Sequence, residues 1–167
     1  LLEKGMGRIQ GFLKSGVEKG KITAEARDRT LALLKGTTDV KDLAECDLVI
    51  EAVTENLEAK RELFVRADKV CGKQAIFASN TSSLSITELM TATSRPERFL
   101  GLHFFNPVPL MKLVEVVRTI VTKEEAEQAA LEFVRATGKT PIRTSDRTGF
   151  IVNRLLVPYI LAAIPAL

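Results

Sequence analysis

The chain contains a single histidine, His103, which stands in an apolar stretch near the end of a predicted strand. A lone histidine among apolar residues is more often structural than catalytic. However, Glu115 interrupts a second apolar run, and burying an unpaired carboxylate is costly. Pro107 and Pro109 predict a bend that brings the two segments alongside each other, so that Glu115 accepts a hydrogen bond from the imidazole. Such a pair could act as a general base that takes the proton of an alcohol. The alternative interpretation of Glu115 is a glutamate on an edge strand that is exposed to water.

Two further groups of polar residues are candidates for binding a ligand, one after a predicted strand and one at the start of a predicted helix. Short hydroxyl and amide side chains follow a predicted strand at residues 79–83, and they form either a ligand-binding loop or a turn cluster. Asn153 lies among apolar neighbours in the first turn of a predicted helix. Because a buried amide needs a partner, Asn153 either holds a substrate carbonyl or bonds to the backbone.

Runs of apolar, β-forming residues predict the strands that position these groups. The strands are expected at residues 47–53, 74–78, 99–104, 113–117 and 140–144. They alternate with helical patterns, which predicts an α/β sheet with helices on its faces. Ligands of such sheets collect beyond the carboxyl ends of the strands, here at residues 52–55 and 79–83.

Apolar spacing and end signals predict five helices. The first runs over residues 2–17 with an apolar stripe that needs a packing partner, and Gly20 follows it. The second begins at Thr23, carries Leu31, Leu33 and Leu34, and is closed by Gly36. The third helix is capped by Asn56 and carries Leu57, Phe64, Ala67 and Val70. The fourth is expected at residues 124–137, before Gly138. The fifth is expected at residues 150–163, after a turn at 146–149.

Composition narrows the class of protein. The 167 residues carry a net charge of only +3, which is too mild to indicate a nucleic-acid surface. The two cysteines form no CxxC pair, so neither a metal site nor a disulfide framework is indicated, and a reducing cytoplasm fits best. No apolar run is long enough to predict a membrane span.

Four motifs follow one another between residues 78 and 154, which is about half of the chain. They are ASNTSS at residues 78–83, GLHFFNPVP at 101–109, LVEVV at 113–117 and GFIVNR at 149–154. Together they resemble the L-3-hydroxyacyl-CoA dehydrogenases, in particular the 3-hydroxybutyryl-CoA dehydrogenase branch, and four motifs are far more specific than one. The resemblance extends over essentially the whole chain.

The resemblance implies a Rossmann-type NAD-binding domain and a role for each motif. His103 would take the proton from the substrate 3-hydroxyl while hydride passes to NAD, and Glu115 would orient the imidazole. Ser82 and Asn153 match the residues that contact the substrate hydroxyl and carbonyl. The cofactor contacts that the resemblance implies are Ala52, Glu55, Lys60, Ser82 and Asn106.

The chain departs from this family at its start. Members begin with a strand and a GxGxxG turn, and Gly5, Gly7 and Gly11 do not replace them because they fall within a helical stripe. The expected fold is therefore an α/β, Rossmann-type NAD-binding domain lacking its first βα unit at residues 1–145. The first helix of a truncated, helical C-terminal domain is expected at residues 146–167. We do not expect this segment to turn over substrate alone.

The resemblance also implies partners and leaves rival functions open. It implies an acyl-CoA substrate and a homodimeric parent enzyme, while composition predicts no nucleic-acid or membrane partner and a cytoplasmic location. Within enzymes, the rival is an NAD-dependent dehydrogenase of a free sugar acid such as L-gulonate. Outside enzymes, the rivals are a crystallin-like relative without activity and a CoA-binding module without redox chemistry.

Overall fold

The computed structural model describes residues 1–166, which divide into two compact units, one of residues 1–42 and one that begins at Leu43. Residue 167, the last of the predicted C-terminal segment, lies outside the described residues. The first unit holds helices α1 (Leu2–Glu18) and α2 (Ala24–Ala32), which contact each other. Thr23 starts α2 as predicted, because its hydroxyl accepts a hydrogen bond from Ala26 N at 3.2 Å.

One expectation about this unit is wrong in detail. Helix α2 ends at Ala32 instead of continuing to Gly36, because Leu33 N and Leu34 N bond three residues back and tighten the last turn. Leu33 is 86% exposed, so no burial holds it in the helix. The packing partner expected for α1 is α2, which contacts it, although no residue of α1 is fully buried.

The second unit is built around a five-stranded sheet with the order β1-β2-β3-β4-β5. Its strands are β1 (Leu48–Glu51), β2 (Ile76–Ser79), β3 (Phe99–Phe104), β4 (Leu113–Arg118) and β5 (Thr140–Ser145). The first three strands are parallel, β4 is antiparallel to β3, and β5 is parallel to β4. The carboxyl ends of β1 to β3 therefore meet the starts of β4 and β5 at one edge, which confirms the predicted α/β sheet.

Four helices complete this unit: α3 (Leu57–Asp68), α4 (Ile86–Met90), α5 (Glu124–Ala136) and α6 (Val152–Ala163). Asn56 caps α3 as predicted, with its Oδ1 accepting from Ala59 N at 2.9 Å, although Val70 falls beyond the helix. The five-residue helix α4 was not predicted. Helix α6 begins two residues later than expected, because Phe150 has a φ of 49° and cannot be part of a right-handed helix.

Apolar side chains fill both faces of the sheet. Phe77 and Phe99 face α3 and α4, where Phe64 packs edge-on against Phe99 with ring centroids 4.6 Å apart. On the other face, Leu100 and Leu102 pack with the apolar side of α5. The two covered faces explain why the strands are almost continuous apolar runs. Among the described residues, no helix is long and apolar enough to cross a membrane.

Candidate active site

The histidine and the glutamate singled out from the sequence lie directly opposite each other on adjacent strands. In the antiparallel pairing of β3 and β4, His103 is the register partner of Glu115, so the two side chains share one face of the sheet. His103 Nδ1 lies 2.6 Å from Glu115 Oε2. The side chains are 5% and 0% exposed, respectively. The predicted hydrogen bond is therefore confirmed, and the exposed edge-strand alternative for Glu115 is excluded.

The second oxygen of Glu115 holds the start of helix α6. Its Oε1 accepts hydrogen bonds from Ile151 N and Val152 N, both at 2.9 Å. These amides belong to the helix N-terminus, whose partial positive charge stabilises a carboxylate. The buried carboxylate is thus satisfied on both oxygens, by the imidazole on one side and by the helix on the other.

A strained turn brings those amides to Glu115. Gly149 has a φ of 76° and Phe150 a φ of 49°, so two successive residues adopt the left-handed region. This backbone is unusual for a bulky residue, and Phe150 is held there by burial, with 3% of its surface exposed. Its ring centroid lies 5.5 Å from that of His103, and Phe105 lies at 4.5 Å. The imidazole therefore has two aromatic rings as neighbours.

A second polar cluster joins the end of β1 to the loop after β2. Glu55 Oε1 accepts from Ser82 N at 3.0 Å, from Ser83 Oγ at 3.4 Å and from the hydroxyl of Thr81. Glu55 Oε2 lies 3.3 Å from Lys60 Nζ. Burial raises the pKa of Glu55, but the hydrogen bonds from Thr81 and Ser82 and the Lys60 ammonium lower it more, so it lies below its ordinary value.

Lys60 is buried next to that cluster, in an ion pair with Glu51. Its side chain is 1% exposed, and Nζ lies 2.7 Å from Glu51 Oε1. Glu51 also accepts from Val53 N at 2.6 Å and, through Oε2, from Ser79 Oγ at 2.6 Å. Two carboxylates thus share one ammonium at the carboxyl ends of β1 and β2.

The remaining predicted site residues surround the same edge of the sheet. Asn153 Nδ2 donates to Ser82 O at 3.4 Å, which links helix α6 to the loop after β2. The structure therefore places Asn153 against the backbone of the sheet unit, one of the two partners considered for it. Ser82, Ala52 and Asn106 are exposed. Their roles as contacts of substrate and cofactor stay predictions, as do those of Glu55 and Lys60.

Three residues that hold neighbouring segments together at this edge were not assigned from the sequence. Asn80 Oδ1 accepts from Phe104 N at 2.9 Å and so ties the loop after β2 to the end of β3. Asp146 accepts from Ser85 Oγ, Ile86 N and Thr87 N at 2.7 to 3.0 Å, which caps α4 from the turn after β5. The third is Glu51. A signal for Glu51 existed, because it ends an apolar strand just as Glu115 interrupts one.

Gly101 lets helix α4 lie close to the sheet near this site. A Cβ at this position would stand 2.9 Å from Ile86 Cδ1 and 2.9 Å from Val117 Cβ. Both contacts are shorter than real Cβ atoms accept. Glycine is therefore required in the strand that carries His103.

The sheet edge now presents a buried imidazole–carboxylate pair beside exposed hydroxyl, amide and carboxylate groups. A mostly parallel sheet with helices on both faces and polar groups at the carboxyl ends of its first three strands defines the class: a Rossmann-type nucleotide-binding domain. The family model described as "3-hydroxyacyl-CoA dehydrogenase, NAD binding domain" matches residues 1–147. The chain belongs to this family of NAD-dependent dehydrogenases, which confirms the cofactor expected from the resemblance.

Individual relatives with high sequence identity to this chain carry names from the same family. The 3-hydroxybutyryl-CoA dehydrogenase of Mycobacterium tuberculosis is 51% identical over 166 residues, which are 98% of this chain and 58% of that protein. The mitochondrial hydroxyacyl-coenzyme A dehydrogenase of Homo sapiens is 49% identical over 90% of this chain and 48% of its own length. The crystal structure of M. tuberculosis FadB2 matches with a TM-score of 0.95 and 50% identity, covering 99% of this chain and 59% of that one. The chain thus spans 48–59% of the length of these relatives.

Proposed function

We propose that the protein containing this chain interconverts (3S)-3-hydroxyacyl-CoA and 3-oxoacyl-CoA with NAD. The observation that carries the proposal is the 2.6 Å contact between His103 Nδ1 and Glu115 Oε2 at the carboxyl edge of the sheet. Because Nδ1 faces Glu115, the proton on that nitrogen stays with the pair. The other nitrogen, Nε2, is left to accept the proton of the substrate hydroxyl.

Glu115 serves this reaction in two ways. It fixes the tautomer of the imidazole, and it stabilises the imidazolium that forms when the alcohol loses its proton. The amides of Ile151 and Val152 keep the carboxylate satisfied while the imidazole is neutral. In the reverse direction, the imidazolium returns its proton to the oxygen at C3.

The groups at the neighbouring strand ends fit a nicotinamide nucleotide. Exposed hydroxyl, amide and carboxylate groups suit ribose hydroxyls and a carboxamide, and the residues we propose as direct contacts are Ala52, Glu55, Ser82 and Asn106. Lys60 is buried, and we propose that it acts on the cofactor through its ion pair with Glu55. When bound, NAD accepts or supplies the hydride at C3. For the substrate, we propose that the Ser82 hydroxyl contacts the 3-oxygen and that the Asn153 amide contacts the thioester carbonyl. The link between Asn153 and Ser82 O supports a shared position for these two residues.

The decisive experiment follows NADH absorbance in the full-length protein with acetoacetyl-CoA as substrate. We expect NADH oxidation with acetoacetyl-CoA and none with acetoacetate, since the CoA group carries much of the binding energy. Turnover of L-gulonate with NAD, and none of acetoacetyl-CoA, would instead establish a sugar-acid dehydrogenase. NADH binding without turnover of either would favour a non-catalytic relative.

The setting of this reaction is also a proposal. We propose a domain boundary between residues 145 and 146, a homodimeric full-length protein and a cytoplasmic location, without nucleic-acid or membrane partners. The boundary is supported by the family match, which stops at residue 147. Limited proteolysis would test the domain boundary. Light scattering would test the homodimer, and cell fractionation would test the cytoplasmic location.

A further inference from the structure

The carboxylate of Glu51 is buried near the candidate active site, and none of the steps above uses it. Its side chain is 0% exposed, and both oxygens have short contacts, with Val53 N and Lys60 Nζ on one and Ser79 Oγ on the other. A charge removed from water needs such partners to be tolerated. The arrangement therefore requires an explanation beyond the packing of β1.

We propose that Glu51 is a positioning residue, which sets the cofactor-facing carboxylate of Glu55 and the loop that carries Ser82. This inference rests on the proposed function, because it assigns Glu51 a task in the same site. Two routes connect Glu51 to Ser82, one through the ammonium of Lys60 and one through the hydroxyl of Ser79.

The ionic route depends on how one ammonium is divided between two carboxylates. Lys60 Nζ lies 2.7 Å from Glu51 and 3.3 Å from Glu55. Without the nearer carboxylate, the buried ammonium is drawn towards Glu55 Oε2, since no water reaches it at 1% exposure. Glu55 then turns, and its Oε1 leaves Ser82 N and the hydroxyl of Thr81.

The second route runs through the Ser79 hydroxyl and reaches the same loop at its start. Ser79 Oγ donates to Glu51 at 2.6 Å and accepts from Thr81 N at 3.3 Å. The hydroxyl of Thr81 in turn accepts from Leu84 N at 2.9 Å, which closes the turn around Ser82. Glu51 thus fixes the direction in which the Ser79 hydroxyl points, and with it the start of the loop.

The test compares Glu51→Gln with a matched control in the full-length protein. Glu127→Gln is the control, because Glu127 is also 0% exposed and lies between two cations, with Arg118 at 3.2 Å and Arg143 at 3.3 Å. Its partners lie on β4 and β5 instead of at the Ser82 loop. Both variants remove one buried charge, so both are expected to unfold at a lower temperature.

Only the first variant should affect the site. We expect Glu51→Gln to weaken NADH binding about tenfold and to lower kcat/KM for acetoacetyl-CoA by about 10²-fold, since a displacement of about 1 Å has effects of this size. Glu127→Gln should keep both values. An unchanged NADH dissociation constant in Glu51→Gln, or an equal loss in Glu127→Gln, would overturn the inference.

A second variant covers the case in which Glu51→Gln does not fold. Ser79→Ala removes one hydroxyl and cuts only the second route, and we expect NADH binding about threefold weaker, as for the loss of one hydrogen bond. Wild-type affinity in Ser79→Ala would then count against the proposal. A wild-type protein that binds NADH but does not reduce acetoacetyl-CoA would refute the proposed substrate only, because the comparison of NADH affinities still decides the role of Glu51.

Discussion

Glu115 and Glu51 are both buried carboxylates at the same edge of the sheet, yet their partners differ in kind. Glu115 contacts an imidazole, which exists with or without a charge, and two amides of a helix N-terminus. Glu51 contacts the ammonium of Lys60, together with a hydroxyl and one amide.

The difference determines what each carboxylate can do. The amides of α6 give Glu115 hydrogen-bond partners in both protonation states of His103. The imidazole can therefore gain or lose a proton without leaving the Glu115 carboxylate unpaired. Removing the charge of Glu51 or Lys60 always leaves the other group buried with fewer partners. The first arrangement suits proton transfer, and the second suits a rigid support.

Removing the titratable partner should have the largest effect. We expect His103→Gln to lower kcat of the full-length protein by about 10⁴-fold, because no base remains to take the hydroxyl proton. NADH affinity should stay unchanged, since the imidazole is not among the proposed cofactor contacts. Steady-state kinetics and a fluorescence titration with NADH measure the two quantities. Full activity in this variant would show that the proton is taken elsewhere.

The next largest effect is expected from Glu115→Gln. A glutamine amide donates to Nδ1 and thereby reverses the tautomer, so that Nε2 carries a hydrogen and cannot accept one; we expect about a 10²-fold loss of kcat. Glu51→Gln should differ by weakening NADH binding, which Glu115→Gln leaves intact. If the two variants changed kcat and NADH affinity in the same proportion, the distinction between the two carboxylates would be lost.

Straining the turn before α6 should have a smaller effect on the same pair. Gly149→Ala places a Cβ 3.0 Å from Arg154 N at a φ of 76°, and we expect a loss of about 1–2 kcal/mol in the free energy of unfolding. Because the amides of Ile151 and Val152 shift with the turn, kcat should also fall.

Gly138 provides the matched control for this turn. It has a φ of 74° at the end of α5, and a Cβ there would meet no atom within 4 Å. Gly138→Ala should therefore lose similar stability in urea denaturation without a change in kcat. A fall in kcat for both variants would trace the effect to general strain and not to Glu115.

The smallest effect concerns pH and Glu55. Its pKa in the folded protein lies below the ordinary value of 4.5, so the stability it contributes is present above about pH 4.5 and is lost as the pH falls through the lower folded pKa. The thermal midpoint should therefore depend less on acid pH in Glu55→Gln than in the wild type. Parallel curves for the two proteins would contradict this assignment.

Much of the fold was predictable because local signals and burial agree in the second unit. The apolar runs located all five strands to within a few residues, and Asn56 and Gly138 marked helix ends correctly. The start of the short helix α4 is held by its own Ser85, which accepts from Glu88 N, and by Asp146 from a distant turn. Prediction failed there because a five-residue helix shows too little periodicity to be recognised. It also failed at Gly36, since the exposed end of α2 has little packing to extend it.

The site was only partly predictable for a related reason. The cost of a buried charge identified the His103–Glu115 pair, because a carboxylate in an apolar strand must find a partner. The same rule applied to Glu51 would have required a partner for that carboxylate as well. It could not show that Glu115 also holds α6, since those partners are backbone amides, which every residue carries.

The sequence by itself determined the α/β class, the family and the residues able to do the chemistry, because periodicity, side-chain type and motif order are properties of the chain. Only the tertiary structure decided which groups share each buried carboxylate. Hydrogen bonds and ion pairs act over about 3 Å, and that proximity arises when strands pair in one register and a strained turn brings a helix end to Glu115.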